Sequence, residues 1–395
     1  MAEERAGARP MVAPWRPPRT EWVVKLSKLC NLRCRYCYEY PHLGDATKMS
    51  LDQLGAFFRA VAGGFAGCGR KMSFVWHGGE PLLHKPDYFR AIFDLQRAIL
   101  EPSGLAWSNS LQTNLTVVND ALIELLREHI EHIGVSFDVL GGQRVDRRGE
   151  VADERVAGNM QRLREAGLSF GCITVLSRAN VDHVASIYRF FEEIETSFRL
   201  LPIYRTGYDG QQDAHALAPE EIVGALCLAV DLWLESSSHI QVRPVEDYVD
   251  MVVRRLDGGA SYRRFYDKRA AEIIYMVDTD GSLYSNADAY APALRHGNVF
   301  RDSFAELRRS IGYRTALARA EARMAAACPG CRYHGACSGF PMAEATPEQR
   351  WLGADGSLRC AVVQPVLEHV ERRLVEAGIV DKARELIPAE RLLIA

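Results

Sequence analysis

The chain holds 395 residues, 48% of them apolar and 25% charged, with a formal net charge of −3; these are the proportions of a soluble globular protein with room for two or three domains. The charge is spread along the chain, which excludes the basic face of a nucleic-acid binder, and no apolar run approaches the ~18 residues of a membrane span. The first 20 residues are rich in Pro, Arg and Ala and lack the apolar stretch of a secretory signal, so they read as a disordered tail and the chain as cytoplasmic, where thiols stay reduced.

After the tail, short apolar runs alternate with helical patterns. Strands are predicted at residues 22–27, 72–77, 108–113, 132–137, 170–176 and 198–204. Helices are predicted between them at 51–62, 87–100, 119–130, 154–167 and 180–194, the first opening on a Ser50/Gln53 capping box. Strands that are nearly continuously apolar, joined by helical crossovers, imply a parallel sheet covered on both faces. The unit over 21–204 is short for a full eight-unit barrel of ~250 residues, so the expected architecture is α/β, a partial (β/α)6 barrel of the TIM type. A Gly- and Asp-rich break follows near 204–221. Residues 205–270 are expected to be a helical bridge, with helix from Pro219 to Leu256. Residues 271–380 form a second, α+β unit with a hairpin turning at Asp278–Gly281 and a helix near 302–325, and 381–395 form a tail.

The ten cysteines are uneven in their spacing. Cys68, Cys172 and Cys227 stand alone and are expected to be buried as small hydrophobes. Cys30, Cys34 and Cys37 sit in C-x3-C-x2-C just after the first predicted strand, the end that carries chemistry in parallel α/β folds. Three thiolates leave a metal site open. Zinc closed by His42 or a distant Cys is one reading; a [4Fe–4S] cluster with one iron free for a chelating molecule is the other.

With Tyr36 before the last cysteine, the motif resembles the signature of the radical S-adenosylmethionine (SAM) enzymes. The resemblance implies a [4Fe–4S] cluster held by Cys30, Cys34, Cys37 and SAM, and a 5′-deoxyadenosyl radical as hydrogen abstractor. It also implies an electron donor of the flavodoxin or ferredoxin type. Gly78, Gly79, Glu80 and Pro81 resemble the family's G-G-E-P motif, the glycines letting backbone approach the ligand and Glu80 holding the methionine amino group. Gln112 and Asn114 end the third strand facing the cavity. Ser136 and Asp138 resemble an S-x-D element near the ribose and carboxylate, Arg155 a carboxylate partner, and Thr174 and Leu176 a segment behind the adenine.

Cys328, Cys331 and Cys337 form C-x2-C-x5-C, and Cys360 completes four thiolates, a set that suits zinc or a second [4Fe–4S] cluster. After a radical SAM unit the pattern resembles the SPASM extension, which usually carries two auxiliary clusters. Here Asn286, the stretch after Gly297 and Pro341 stand where three further thiolates belong, so one auxiliary [4Fe–4S] cluster is expected. SPASM enzymes mostly act on peptides. The resemblance implies a maturase of a ribosomally made precursor peptide, with oxidative carbon–carbon crosslinking of the cyclophane type favoured. Thioether formation, epimerisation, formylglycine-type oxidation and, outside enzymes, a zinc-stapled binding protein are the alternatives. Epimerisation needs a hydrogen donor near the substrate, for which Cys172 is the only candidate, and Asp288 is the candidate base of the crosslinking reaction.

Overall fold

The computed structural model describes residues 19–204, 213–256, 264–270, 272–285, 291–346, 349–352 and 356–379. Seven strands lie in chain order: β1 (Arg19–Lys25), β2 (Lys71–His77), β3 (Trp107–Thr113), β4 (His132–Ser136), β5 (Phe170–Leu176), β6 (Phe198–Pro202) and β7 (Val242–Arg243). Each pairs parallel with the next. Helices α1 (Leu51–Phe65), α2 (Pro86–Leu100), α3 (Asp120–His129), α4 (Asp153–Glu165), α5 (Val184–Glu193) and α6 (Pro219–Glu235) provide the crossovers, and α7 (Val245–Leu256) follows β7. The first six strands and five helices fall where hydrophobic periodicity puts them. Helix α1 starts on the expected capping box, with Gln53 N–H donating to Ser50 Oγ at 3.2 Å and Ser50 N–H to Gln53 Oε1 at 2.7 Å.

The stretch expected to be helical from Pro219 to Leu256 is instead two helices with β7 between them. The Ser-rich turn after Glu235 ends α6, and buried Val242 then pairs with Phe198. A strand of two residues is too short to impose an alternating pattern on the sequence.

The hairpin β8 (Ile274–Val277) and β9 (Ser282–Ser285) forms at the predicted turn. Strand β8 lies parallel to β1, so the hairpin and β10 (Gly297–Asn298) continue the barrel sheet, with β10 at one edge and β7 at the other. The remainder is helical: α8 (Phe304–Leu307), α9 (Ile311–Ala327), α10 (Phe340–Ala343) and α11 (Val363–Glu376), with a small antiparallel pair β11 (Arg350–Leu352) and β12 (Leu358–Cys360).

Trp22 shows how this join is packed. Its ring is fully buried, stacked on Tyr275 of β8 at 4.7 Å and edge-on to Phe57 of α1 at 5.5 Å and Phe304 of α8 at 5.8 Å. No helix among the described residues is long and apolar enough to cross a membrane. Trp22→Ala should cost about 3–5 kcal/mol. Hydrogen exchange should find faster exchange in β1 and β8 together; unchanged protection in β8 would contradict this role.

Candidate functional site

The cysteine loop leaves β1 and is bound on both sides. Cys30 N–H donates to the Leu43 carbonyl at 3.0 Å, Arg33 N–H to Val145 at 2.6 Å, Arg35 N–H to Gln143 at 3.0 Å and Cys37 N–H to Cys34 at 3.0 Å. Cys30 is buried and Cys34 and Cys37 are half-buried. Leu32 N–H reaches Cys30 Sγ at 3.4 Å, and Asn114 Nδ2 lies 3.7 Å from the same sulfur. Burial pushes the Cys30 thiol up to about 11 and Cys37 up to about 12. Such thiols carry protons at neutral pH, and metal binding must release them.

Gly78 and Gly79 serve this loop. A Cβ on Gly78, whose φ is +128°, would stand 2.1 Å from the Ser27 carbonyl oxygen; one on Gly79 would stand 2.2 Å from that of Leu29. Gly79 N–H and Glu80 N–H donate to Ser27 and Leu29, both at 2.8 Å. The glycines were expected to let backbone approach a ligand; what they admit here is the root of the cysteine loop itself.

Glu80 is buried. Its carboxylate accepts from Thr113 Oγ1 at 2.8 Å, Asn114 N–H at 2.6 Å and Leu82 N–H at 2.8 Å. Burial raises its pKa while these bonds oppose the shift. No ion pair reaches Glu80 among the described residues, although a carboxylate has roughly four acceptor positions and three are used. Pro81 opens the short turn that follows.

The interior face is set by the pleat. Asn109 of β3 bonds Gln96 of α2 at 2.8 Å, so the odd-numbered residues of β3 face the helices and Gln112 faces inward. Gln112 Nε2 donates to Ser136 Oγ at 2.8 Å over Gly134. Asn114 lies beyond the strand, holding Asn31 of the cysteine loop at 3.0 Å. Asp138 is buried and accepts from Tyr36 OH at 2.5 Å and Val175 N–H at 3.0 Å. Arg144, also buried, donates to Tyr36 OH at 2.6 Å.

Two expectations on β5 are corrected by register. Ser136 pairs with Ile173, so Ile173 and Val175 share the inward face. Thr174 and Leu176 point to the helix layer with Cys172, and Thr174 Oγ1 is spent on the Phe137 carbonyl at 2.8 Å. Cys172 is therefore no hydrogen donor for the interior; burial pushes its thiol up to about 12. Counting the pleat from Ser136 would have found Ile173 and Val175, whereas no motif marks Arg144. Arg155 is exposed on the first turn of α4. Cys68 is exposed and Cys227 half-buried, against the expectation for lone cysteines, because Cys68 falls in the turn after α1.

The second cluster gathers around one cavity, lined by Cys328, Cys331, Cys337 and Cys360. Cys328 caps the end of α9, while Cys360 ends β12, where N–H groups of Val362, Val363 and Gln364 at the start of α11 reach its sulfur. Burial raises the Cys360 thiol pKa, and these N–H groups oppose the shift. Among the described residues no three His, Cys, Asp or Glu side chains close on a single-ion site. The donor chemistry fits a four-sulfur group at the second site and a three-sulfur group at the first.

Asn286 and Asp288 lie outside the described residues. Ser285 and His296, which adjoin Asn286 and Gly297 in the sequence, join a buried network with Lys268, Glu272 and Glu344. Lys268 Nζ lies 3.1 Å from Glu272 and 2.6 Å from Glu344. Ser285 donates to Glu272 at 3.1 Å and meets His296 Nε2 at 2.7 Å. Burial pushes Glu272 up to about 7.

The sequence pattern of the Radical SAM superfamily matches residues 24–191. Residues 24–191 belong to the radical SAM superfamily. The serine-type anaerobic sulfatase-maturating enzyme of Klebsiella aerogenes is 35% identical over 163 residues, 40% of each chain; the chain thus matches less than half the length of that relative. The enzyme of the same name from Bacteroides thetaiotaomicron is 22% identical over 361 residues, 83% of each. The solved structure of native anSMEcpe with bound AdoMet and Cp18Cys peptide is similar with a TM-score of 0.68 at 21% identity, covering 91% of this chain and 99% of that one. Streptococcus suis SuiB bound to precursor peptide SuiA gives a TM-score of 0.52 at 13% identity, over 76% and 66%. The fold is thus the radical SAM α/β fold with a C-terminal SPASM-like domain, and the chain carries a radical SAM enzyme domain. Gly79→Ala should displace the cysteine loop, with hydrogen exchange rising across residues 28–40; unchanged exchange there would show that the loop does not depend on this contact.

Proposed function

We propose that this protein is a radical SAM peptide maturase that modifies a ribosomally made precursor peptide by net oxidation, with a carbon–carbon crosslink as product. The observation that carries the reading is the buried Glu80 carboxylate beside the cysteine loop, three of its acceptor positions filled and, among the described residues, no ion pair on the fourth. On this reading Cys30, Cys34 and Cys37 hold a [4Fe–4S] cluster and SAM completes it. When bound, the pair supplies one-electron cleavage of SAM to a hydrogen-abstracting 5′-deoxyadenosyl radical. Glu80 takes the methionine ammonium. Gln112, Ser136, Asp138 and Arg155 bind the ribose and carboxylate, and Ile173 and Val175 supply the apolar wall. Tyr36 and Arg144 hold Asp138 in place.

Cys328, Cys331, Cys337 and Cys360 would hold one auxiliary cluster, which offers an acceptor for the electron that a net oxidation releases. A crosslink needs such an acceptor, whereas epimerisation needs a thiol donor that Cys172 cannot provide from the helix layer. Formylglycine formation is a second reading, favoured by the names of the sulfatase-maturating relatives. Asp288 is the proposed base for the crosslinking chemistry.

Two measurements test the ligand sets. Glu80→Ala should weaken SAM binding by calorimetry, since a charge-assisted bond of ~1.5–3 kcal/mol is lost; equal affinity would contradict the role. Reconstituted protein should hold about eight irons, and Ala at the four C-terminal cysteines should leave about four. About twelve irons, or zinc at the second site, would overturn the assignment.

Mass spectrometry of a co-expressed precursor tests the reaction. A crosslink removes two hydrogens and leaves no aldehyde. A serine-derived formylglycine also removes two hydrogens but reacts with hydrazides, and an unchanged mass would contradict oxidation.

A further inference from the structure

The cysteine loop begins and ends on charge. Lys28 stands two residues before Cys30, and Glu39 two residues after Cys37. The Lys28 ammonium lies 3.8 Å from Glu39. Glu39 is also bonded to Lys25, at the end of β1, whose ammonium sits 4.7 Å from the Tyr38 ring centre. On its other side Lys28 lies 3.2 Å from Asp278, at the turn of the β8–β9 hairpin. Thr279 Oγ1, from the same turn, donates to the Lys25 carbonyl at 3.1 Å.

Positive and negative charges therefore alternate through Lys25, Glu39, Lys28 and Asp278. The side chains of Lys25 and Glu39 are 1% and 9% exposed, and those of Lys28 and Asp278 21% and 14%. Exposed ion pairs contribute little because water screens them. These four are largely withdrawn from water, so removing one partner leaves another charge uncompensated. Glu39 cannot fully neutralise two ammonium groups, and Asp278 supplies the second negative charge. The residue that balances the clasp comes from a hairpin far down the chain, seated beside β1 by parallel pairing.

We propose that Asp278 is a positioning residue for the cysteine loop, through which the C-terminal hairpin holds the two ends of the loop together. The proposal rests on the reading of Cys30, Cys34 and Cys37 as cluster ligands. Its consequence is that the reactivity and placement of these thiols depend on a charge outside the radical SAM domain.

The test compares wild type with Asp278→Asn, Asp278→Glu, Lys28→Met and Lys28→Arg. In iron-free protein, alkylation of Cys30, Cys34 and Cys37 by iodoacetamide is followed by peptide mapping. In loaded, reduced protein, the change that SAM makes in the electron paramagnetic resonance spectrum is recorded. Asp278→Asn and Lys28→Met should speed alkylation about tenfold, while Asp278→Glu and Lys28→Arg should keep it within about twofold of wild type. Alkylation of Cys328, Cys331 and Cys337 should not change, and the SAM-dependent spectrum should differ in the two charge-removing variants alone. Wild-type rates and spectra in Asp278→Asn, or an Asp278→Glu no better than Asp278→Asn, would overturn the proposal. If Ala at Cys30, Cys34 and Cys37 removed no iron, the ligand reading would fail instead, whatever the clasp does.

Discussion

A buried carboxylate that no ion pair reaches among the described residues is an unstable arrangement unless hydrogen bonds hold it or a charged ligand arrives. Glu80 has the first and leaves room for the second. Its backbone N–H binds the loop at Leu29, and its oxygens bind Thr113, Asn114 and Leu82. Asn114 in turn reaches Asn31 and Cys30. The ends of β2 and β3 and the root of the cysteine loop are thus fixed to one anionic point. The glycines before Glu80 follow from this, since any side chain at 78 or 79 would drive the loop away.

The second constraint is the continuous sheet. Because β8 pairs with β1, the C-terminal hairpin is built onto the barrel edge, and Trp22 seals the join from the helix side. Near the positions where the SPASM pattern calls for three more thiolates, Lys268, Glu272 and Glu344 form a buried ionic cluster closed by Ser285 and His296. Breaking such a cluster by removing one charge is costly. Buried polar and charged side chains therefore link the hairpin, the turn before β10 and the segment after α10, while the four remaining cysteines surround a separate cavity.

Much of this was legible in the sequence because the signals were local or strongly periodic. Strands β1 to β6, the cap of α1 and the hairpin at Asp278–Gly281 all follow from spacing and turn chemistry. The two cysteine groups were marked by their crowding. What was not legible depended on register or on distant contacts. Thr174 and Leu176 were assigned to the interior, but the strand pleat gives that face to Ile173 and Val175. Arg144 carries no motif, and only the fold brings it to Tyr36. Strand β7 is two residues long and borrows its pairing from β6. Gly78 and Gly79 were recognised, yet the partner they admit lies some fifty residues earlier in the chain and could not be read from their own neighbourhood.

The central claim is that Cys30, Cys34 and Cys37 form an open iron site completed by SAM. The most direct measurement is 5′-deoxyadenosine formation by anaerobically reconstituted protein given SAM and dithionite. The account predicts formation by the intact chain and none when all three cysteines are changed to Ala. Equal formation by both proteins, or none from an intact, iron-loaded chain, would contradict it.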